Sequence, residues 1–306
     1  MTKKKPIAIY LIFAFSLAWV LWGILALLGV SLTSSVGTVV VAISMFAPAM
    51  AVLIAKKANA GNRVFEPSFK PKFKGNIRWY LCAWLIPIVL LMLGGVFYFV
   101  IFRNQFDPGL ANVRLTLESK NGTTVTDSAL HTAVVIEILV AMTVNVITSM
   151  VLAFGEEIGW RGFLFPAVRS RTNAVKAYIL CGVIWGLWHA PIIAMGHNFG
   201  FGYTGYPWLG ILAMIPLCIG MGTFLSYVTG KTGSIWPAAL AHGTINAVSG
   251  LPSLFLTIDS VNLMNSKGSL GNGFITVIPL MILATVLIVA SARKKINGLG
   301  ENQHGD

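Results

Sequence analysis

Charge is what this chain lacks most. Only 10% of its 306 residues are charged, and just ten of them are Asp or Glu. An ordinary soluble domain carries about a quarter charged residues, so a water-soluble globule is excluded. Cysteine is nearly absent too. Cys82, Cys181 and Cys218 all fall in apolar stretches, with no CxxC pair and no second ligand nearby. That removes a disulfide framework and cysteine-based zinc motifs, and reads the three as core residues. The sequence has no HExxH, no GxSxG and no Ser-His-Asp arrangement. The common zinc-protease helix and the serine-hydrolase elbow are therefore out. Internal repeats and low-complexity tracts are missing as well.

What remains is apolar. The chain is 56% hydrophobic, with a mean hydropathy of +0.78. Eight apolar segments are legible, at about 6–28, 36–55, 79–102, 132–160, 177–195, 208–228, 234–256 and 273–292. The expected fold class is all-α, a polytopic integral membrane bundle of about eight transmembrane helices. The net charge of +12 is no nucleic-acid footprint, because it follows membrane topology. With Lys3, Lys4 and Lys5 inside and eight crossings, 17 Lys and Arg fall on inner pieces. Only Arg103, Arg114, Lys120 and Lys267, 4 in all, fall on outer ones, with Arg161 left inside the bundle. The positive-inside rule then puts both termini in the cytoplasm. The first segment starts basic but has about twenty apolar residues and no clear small-x-small cleavage site, which reads as a retained anchor rather than a signal peptide.

Three regions are expected. Residues 1–130 hold the N-terminal membrane helices, with a basic cytoplasmic loop and an outer loop; 131–256 hold a catalytic core; 257–306 hold the last membrane helix and a cytoplasmic tail. The loop at 57–78 alternates lysines with Phe65, Phe69, Phe73 and Trp79. Such a pattern suits an anionic lipid surface, although a positive-inside loop has the same composition. Asn121-Gly122 in the outer loop is a hairpin signal. The glycine-rich 196–207 loop reads as flexible and interfacial, and the tail from Asn297 as disordered.

Against this background, polar residues inside apolar segments stand out. Glu156-Glu157-x-x-x-Arg161 ends the fourth segment. Each ionised group at that depth costs roughly 2.5–3.5 kcal/mol on insertion scales, so such groups face protein and pair there. Glu157 and Arg161 are i and i+4 and can form an ion pair on one helix face, which can also be a purely structural tie. Glu156, turned about 100° away, has no local partner in sequence and is free to act as a base. His189 follows Trp185 and Trp188 and precedes Pro191; alone it can be an ordinary core histidine. His242 and Asn246, again i and i+4, can be interhelical glue. Depth joins them. At 1.5 Å per residue, His189 lies about 18 Å from its segment's inner end and His242 about 12 Å, with Glu156 in the same layer of the inner half. The segment from 133 to 168 is too long for one straight span, and Gly155, Gly159, Gly162 and Pro166 offer places for a break.

A carboxylate, two histidines and an amide in one cavity suit hydrolysis. One pair holds and deprotonates water while the others donate to the developing oxyanion. A zinc ion on Glu156, His189 and His242 is possible by ligand type. The ordered set Glu156-Glu157-x-x-x-Arg161, Trp185-x-x-Trp188-His189 and His242-x-x-x-Asn246, each on its own helix, resembles the CAAX protease and bacteriocin-processing (CPBP/Abi) intramembrane proteases. That family includes the type 2 CAAX prenyl endopeptidases. Its second motif usually has an aromatic four residues before the histidine, the place Trp185 fills here. The motifs cover about residues 130–250.

The resemblance implies peptide-bond hydrolysis at an active site opening toward the cytoplasm. In that scheme Glu156 and His189 activate water, His242 and Asn246 form the oxyanion site, and Glu157 and Arg161 support them. It also implies peptide or protein substrates at the membrane. The family is named as a metalloprotease, and a metal-free, glutamate-driven mechanism is argued for it as well. The expected localisation is integral to a membrane, a bacterial plasma membrane, with no nucleic-acid partner. Two other classes stay open: a non-proteolytic scaffold or immunity partner, and a small-solute or proton transporter using Glu156 as carrier, against which the missing repeats count.

Overall fold

The computed structural model describes residues 5–58 and 69–300, with side chains at 270–272 and 294–300 left out. Lys3, Lys4, Arg63, Phe65 and the end of the tail lie outside the described residues. In chain order the helices are α1 (Lys5–Leu27), α2 (Ser35–Ser44), α3 (Ala47–Lys57), α4 (Ile77–Ile101), α5 (Ala111–Asn121), α6 (Asp127–Met142), α7 (Val144–Gly159), α8 (Phe165–Arg169), α9 (Ala174–Trp188), α10 (Ala190–Ile193), α11 (Trp208–Thr232), α12 (Trp236–Val248), α13 (Ile258–Lys267), α14 (Leu270–Thr276) and α15 (Ile278–Gly300). The extended pairing among the described residues is an isolated bridge between Phe106 and Leu256. The protein is an all-α membrane bundle.

All eight apolar segments are helical. Five stretches are long and apolar enough to cross a membrane: Lys5–Leu27, Ser35–Lys57, Ile77–Ile101, Asp127–Arg169 and Trp208–Thr232; Ala174–Trp188 and Ile278–Arg293 are shorter apolar helices. α12 is shorter still, at 13 residues, and a 3₁₀ turn at Leu251–Phe255 prolongs its path.

The long fourth segment is broken twice. Thr143 leaves helical geometry between α6 and α7. Trp160–Leu164 then forms a π-turn, in which the Phe165 N–H reaches the Trp160 carbonyl five residues back. Pro166 has no N–H to return to residue 162, so widening the turn by one residue accommodates a bond that cannot form.

Helix contacts depend on small residues. A Cβ at Gly243 of α12 would lie 2.4 Å from the Met150 backbone nitrogen of α7, and one at Gly155 would lie 2.8 Å from the Met45 carbonyl oxygen. Backbone therefore meets backbone at these crossings, the usual means of close approach in a membrane.

Two loop expectations fail. Asn121-Gly122 makes no hairpin: it ends α5, with Gly122 at φ +69° and its N–H on the Glu118 carbonyl. The left-handed residue that a tight strand turn requires serves equally well as a helix stop. Nor is the 196–207 loop loose. Phe199 and Tyr203 are buried in the main core, and Ser269 N–H donates to the Phe199 carbonyl at 2.7 Å.

At the lysine-rich end, a segment straps the turn between α11 and α12. Lys72 Nζ donates to the Gly233 carbonyl at 3.0 Å, Ser234 Oγ to the Lys70 carbonyl at 2.8 Å, and Trp236 Nε1 to the Phe69 carbonyl at 2.6 Å. The charge distribution generates a prediction for this end. A cysteine at Lys120 is expected to react with an impermeant maleimide from outside intact cells, and one at Lys72 only after permeabilisation. The reverse labelling pattern would refute the eight-crossing orientation.

Candidate active site

Glu156 and Glu157 close α7 one turn before the π-turn, and both are buried. A carboxylate removed from water needs donors. Glu156 has two: Trp160 Nε1 at 3.0 Å and Trp185 Nε1 at 2.8 Å, both on Oε2. Its apparent lack of a partner in sequence is thus corrected. One donor lies a single turn ahead on its own helix, and the other comes from α9. Trp160 and Trp185 are the residues that reading the sequence for charges missed. Trp185 had a signal, its position four residues before His189, but nothing in the spacing tied it to a glutamate.

Glu157 makes the ion pair expected of it, with Arg161 Nη1 at 3.0 Å, and something more. The same oxygen, Oε1, stands 2.9 Å from His242 Nδ1 on α12. Its Oε2 is buried without a hydrogen-bond partner among the described residues. Arg161 lies over the Trp185 ring at 4.3 Å from its centroid. A Cβ at Gly222 of α11 would sit 2.9 Å from Arg161 Nη2, so a glycine makes room for the guanidinium. Glu157 is a bridge between α7 and α12 rather than chiefly an arginine's partner.

The two histidines are oriented through Nδ1. His189 caps α9 and sets Nδ1 2.8 Å from the Trp185 carbonyl. A carbonyl only accepts, so Nδ1 carries the proton and Nε2 of the neutral ring bears the lone pair. His242 Nδ1 faces a carboxylate, which also only accepts, so this Nδ1 carries a proton too. Both rings pack against Trp185, His242 edge-on at 5.2 Å and His189 at 6.0 Å. One indole thus touches or bonds Glu156, Arg161, His189 and His242. Asn246, one turn beyond His242, is exposed.

Glu156, His189, His242 and Asn246 line one cavity of about 660 Å³, so the expected convergence is met. The cavity lining continues through His197–Phe199, Ser249–Ser253 and Met264 toward Ser269, and includes nothing from the 69–78 or 229–236 segments. It therefore runs toward the lysine-poor end, away from the strap that covers the α11–α12 turn.

The zinc set suggested by ligand type was Glu156, His189 and His242. Among the described residues, no three His, Cys, Asp or Glu side chains stand together as a metal-holding group. Glu156 Oε2 and both Nδ1 atoms have other partners, so a metal would use Glu156 Oε1 and the two Nε2 atoms, and the Nδ1 bonds are of the kind that orients a ligating histidine.

Comparison with known proteins bears on the same residues. Residues 136–248 match the protein family described as Type II CAAX prenyl endopeptidase Rce1-like. A curated relative, CAAX prenyl protease 2 of Methanococcus maripaludis, is 34% identical over 96 residues. That match covers 30% of this chain and 34% of the relative, so the chain spans about a third of the length of the curated protein it matches. All six motif residues, from Glu156 to Asn246, lie inside the family match. Between residues 136 and 248, then, this membrane protein is similar to the type II CAAX prenyl endopeptidase, Rce1-like family.

Proposed function

We propose that the chain is an intramembrane endopeptidase that cleaves membrane-associated peptides or proteins with a water activated by Glu156 and His189. The observation that carries the reading is the meeting of Glu156, His189, His242 and Asn246, from three separated stretches of chain, on the wall of one cavity. The family match and the relative's name support protease chemistry. In this reading Glu156 takes the proton of the attacking water, with His189 Nε2 as the second acceptor on the cavity side. The Asn246 amide donates to the tetrahedral oxyanion, and His242 donates to it through Nε2 with both ring nitrogens protonated. Positive charge gathered on His242 would face the Glu157 carboxylate, which Arg161 holds from the other side. The indole pair keeps the Glu156 carboxylate in place without giving it a counter-charge. The same reading sets Phe69, Phe73 and the lysines between them, all at the bundle's lysine-rich end, against an anionic cytoplasmic leaflet with the termini on that side.

Peptide-level proteomics of membranes with and without Glu156→Ala would identify a substrate, and cleavage of that peptide by purified variants tests the roles. Glu156→Gln keeps an oxygen for both indole donors, so the protein is expected to stay folded while turnover falls by roughly 10²–10⁴-fold. Normal cleavage by a folded Glu156→Gln protein would remove Glu156 as the base, and no cleavage by the wild type would end the protease reading and leave a scaffold. Glu157→Gln weakens both the Arg161 and the His242 contacts. It is expected to lower stability by roughly 3–5 kcal/mol, as breaking a buried pair does, and turnover with it; thermal unfolding and the cleavage assay read the two effects. Trp185→Phe removes one of the two donors to Glu156, and a fall in turnover of about 10-fold is expected, with substrate KM little changed.

A further inference from the structure

Pro191 cannot donate a backbone hydrogen bond, and its ring ends the regular run of α9. The carbonyls at the end of α9 then need donors from elsewhere. Side chains supply two of them. His189 Nδ1 meets the Trp185 carbonyl. Trp19 Nε1, on α1, donates to the Trp188 carbonyl at 2.9 Å. The bond is returned, since Trp188 Nε1 donates to the Ala14 carbonyl of α1, also at 2.9 Å. Trp22, one turn further along α1, packs edge-on against Trp188 with centroids 4.8 Å apart and is itself held by an Nε1 bond to Ser44 Oγ at 3.0 Å. The Trp188 ring then stands at 87° to the His189 ring, 4.8 Å away.

We propose that α1, which lies outside the family-matched stretch, is a positioning element for His189. Two bonds between α1 and Trp188, from Trp19 Nε1 to its carbonyl and from its own Nε1 to the Ala14 carbonyl, fix the chain break at residue 189 and thereby the direction of its ring. The proposal rests on the endopeptidase reading only for what that ring does. Trp19 touches neither substrate nor reacting atoms and is absent from the cavity wall, so it is a positioning residue. Packing alone does not account for the arrangement. Trp19 is 40% exposed, yet its one polar atom is spent on the carbonyl directly before His189. Two indole N–H groups left unpaired at membrane depth would be costly. Together they tie a helix from the start of the chain to the single residue where α9 gives way to α10.

The test is Trp19→Phe, which keeps the ring and deletes the donor. Protein labelled with ¹⁵N-histidine has five such residues, and His189 is assigned by its disappearance in His189→Gln. In the wild type, His189 should show one protonated ring nitrogen, Nδ1, and one lone-pair nitrogen. In Trp19→Phe these signals should shift toward a mixture of tautomers, with kcat lowered about 10-fold, KM and thermal unfolding unchanged, and the lipid-facing control Trp208→Phe equal to wild type. Trp188→Phe removes the returned bond and is the second arm, with the same displacement of the His189 signals expected. Wild-type His189 signals in either folded variant overturn the proposal, as does an equal loss in Trp208→Phe. If the wild type cleaves no peptide, the endopeptidase reading fails, and the ring signals still decide whether α1 positions His189.

Discussion

A carboxylate in the interior of a membrane protein must be surrounded by donors or lose its charge, and the bundle is arranged around two of them. Glu156 is supplied by indole N–H groups, which hold it by hydrogen bonds without neutralising it. Glu157 is supplied by a guanidinium and an imidazole on one oxygen. The difference divides two chemically identical neighbours into a group held by neutral donors and a group that ties α7 to α12. Trp185 is central to both arrangements. Its edge donates to the first glutamate, and its face receives the arginine that pairs with the second. A phenylalanine could fill the space but not supply the edge.

Close packing makes this sharing possible. His242 reaches Glu157 because α12 lies directly against α7, and it lies there because Gly243, the next residue, has no side chain to hold the helices apart. On the opposite side Gly222 leaves space for Arg161. The glycines and the charges are parts of one solution, since a buried ion pair repays its desolvation only when its geometry is tight. In lipid, where apolar contact offers little net gain over the hydrocarbon, such backbone contacts and interhelical hydrogen bonds carry much of the association.

Hydropathy made the bundle legible, because eight apolar stretches and a one-sided basic charge leave few other structures open. The Glu157–Arg161 pair was legible too, since i, i+4 spacing on a helix is local. What could not be read was non-local. The contact from His242 to Glu157 spans 85 residues, and that from Trp185 to Glu156 spans 29. The course of the cavity could not be read for a related reason: depth counted along separate helices locates a layer but not which end of it is covered. Asn121-Gly122 shows the same limit at short range, since a left-handed glycine serves a hairpin and a helix stop alike.

The π-turn at Trp160–Leu164 has a bearing on how such chains diverge. A π-turn is an α-helix carrying one residue more than its hydrogen bonding needs. Deleting a single residue there would leave Glu156 and Glu157 untouched but rotate α8, with everything that follows on the helix, by about 100°. Buried Ala167 would then turn away from the core while the acidic pair still read correctly. In this stretch, insertions and deletions rather than substitutions are the changes most able to leave the motif intact on paper and dismantle it in space.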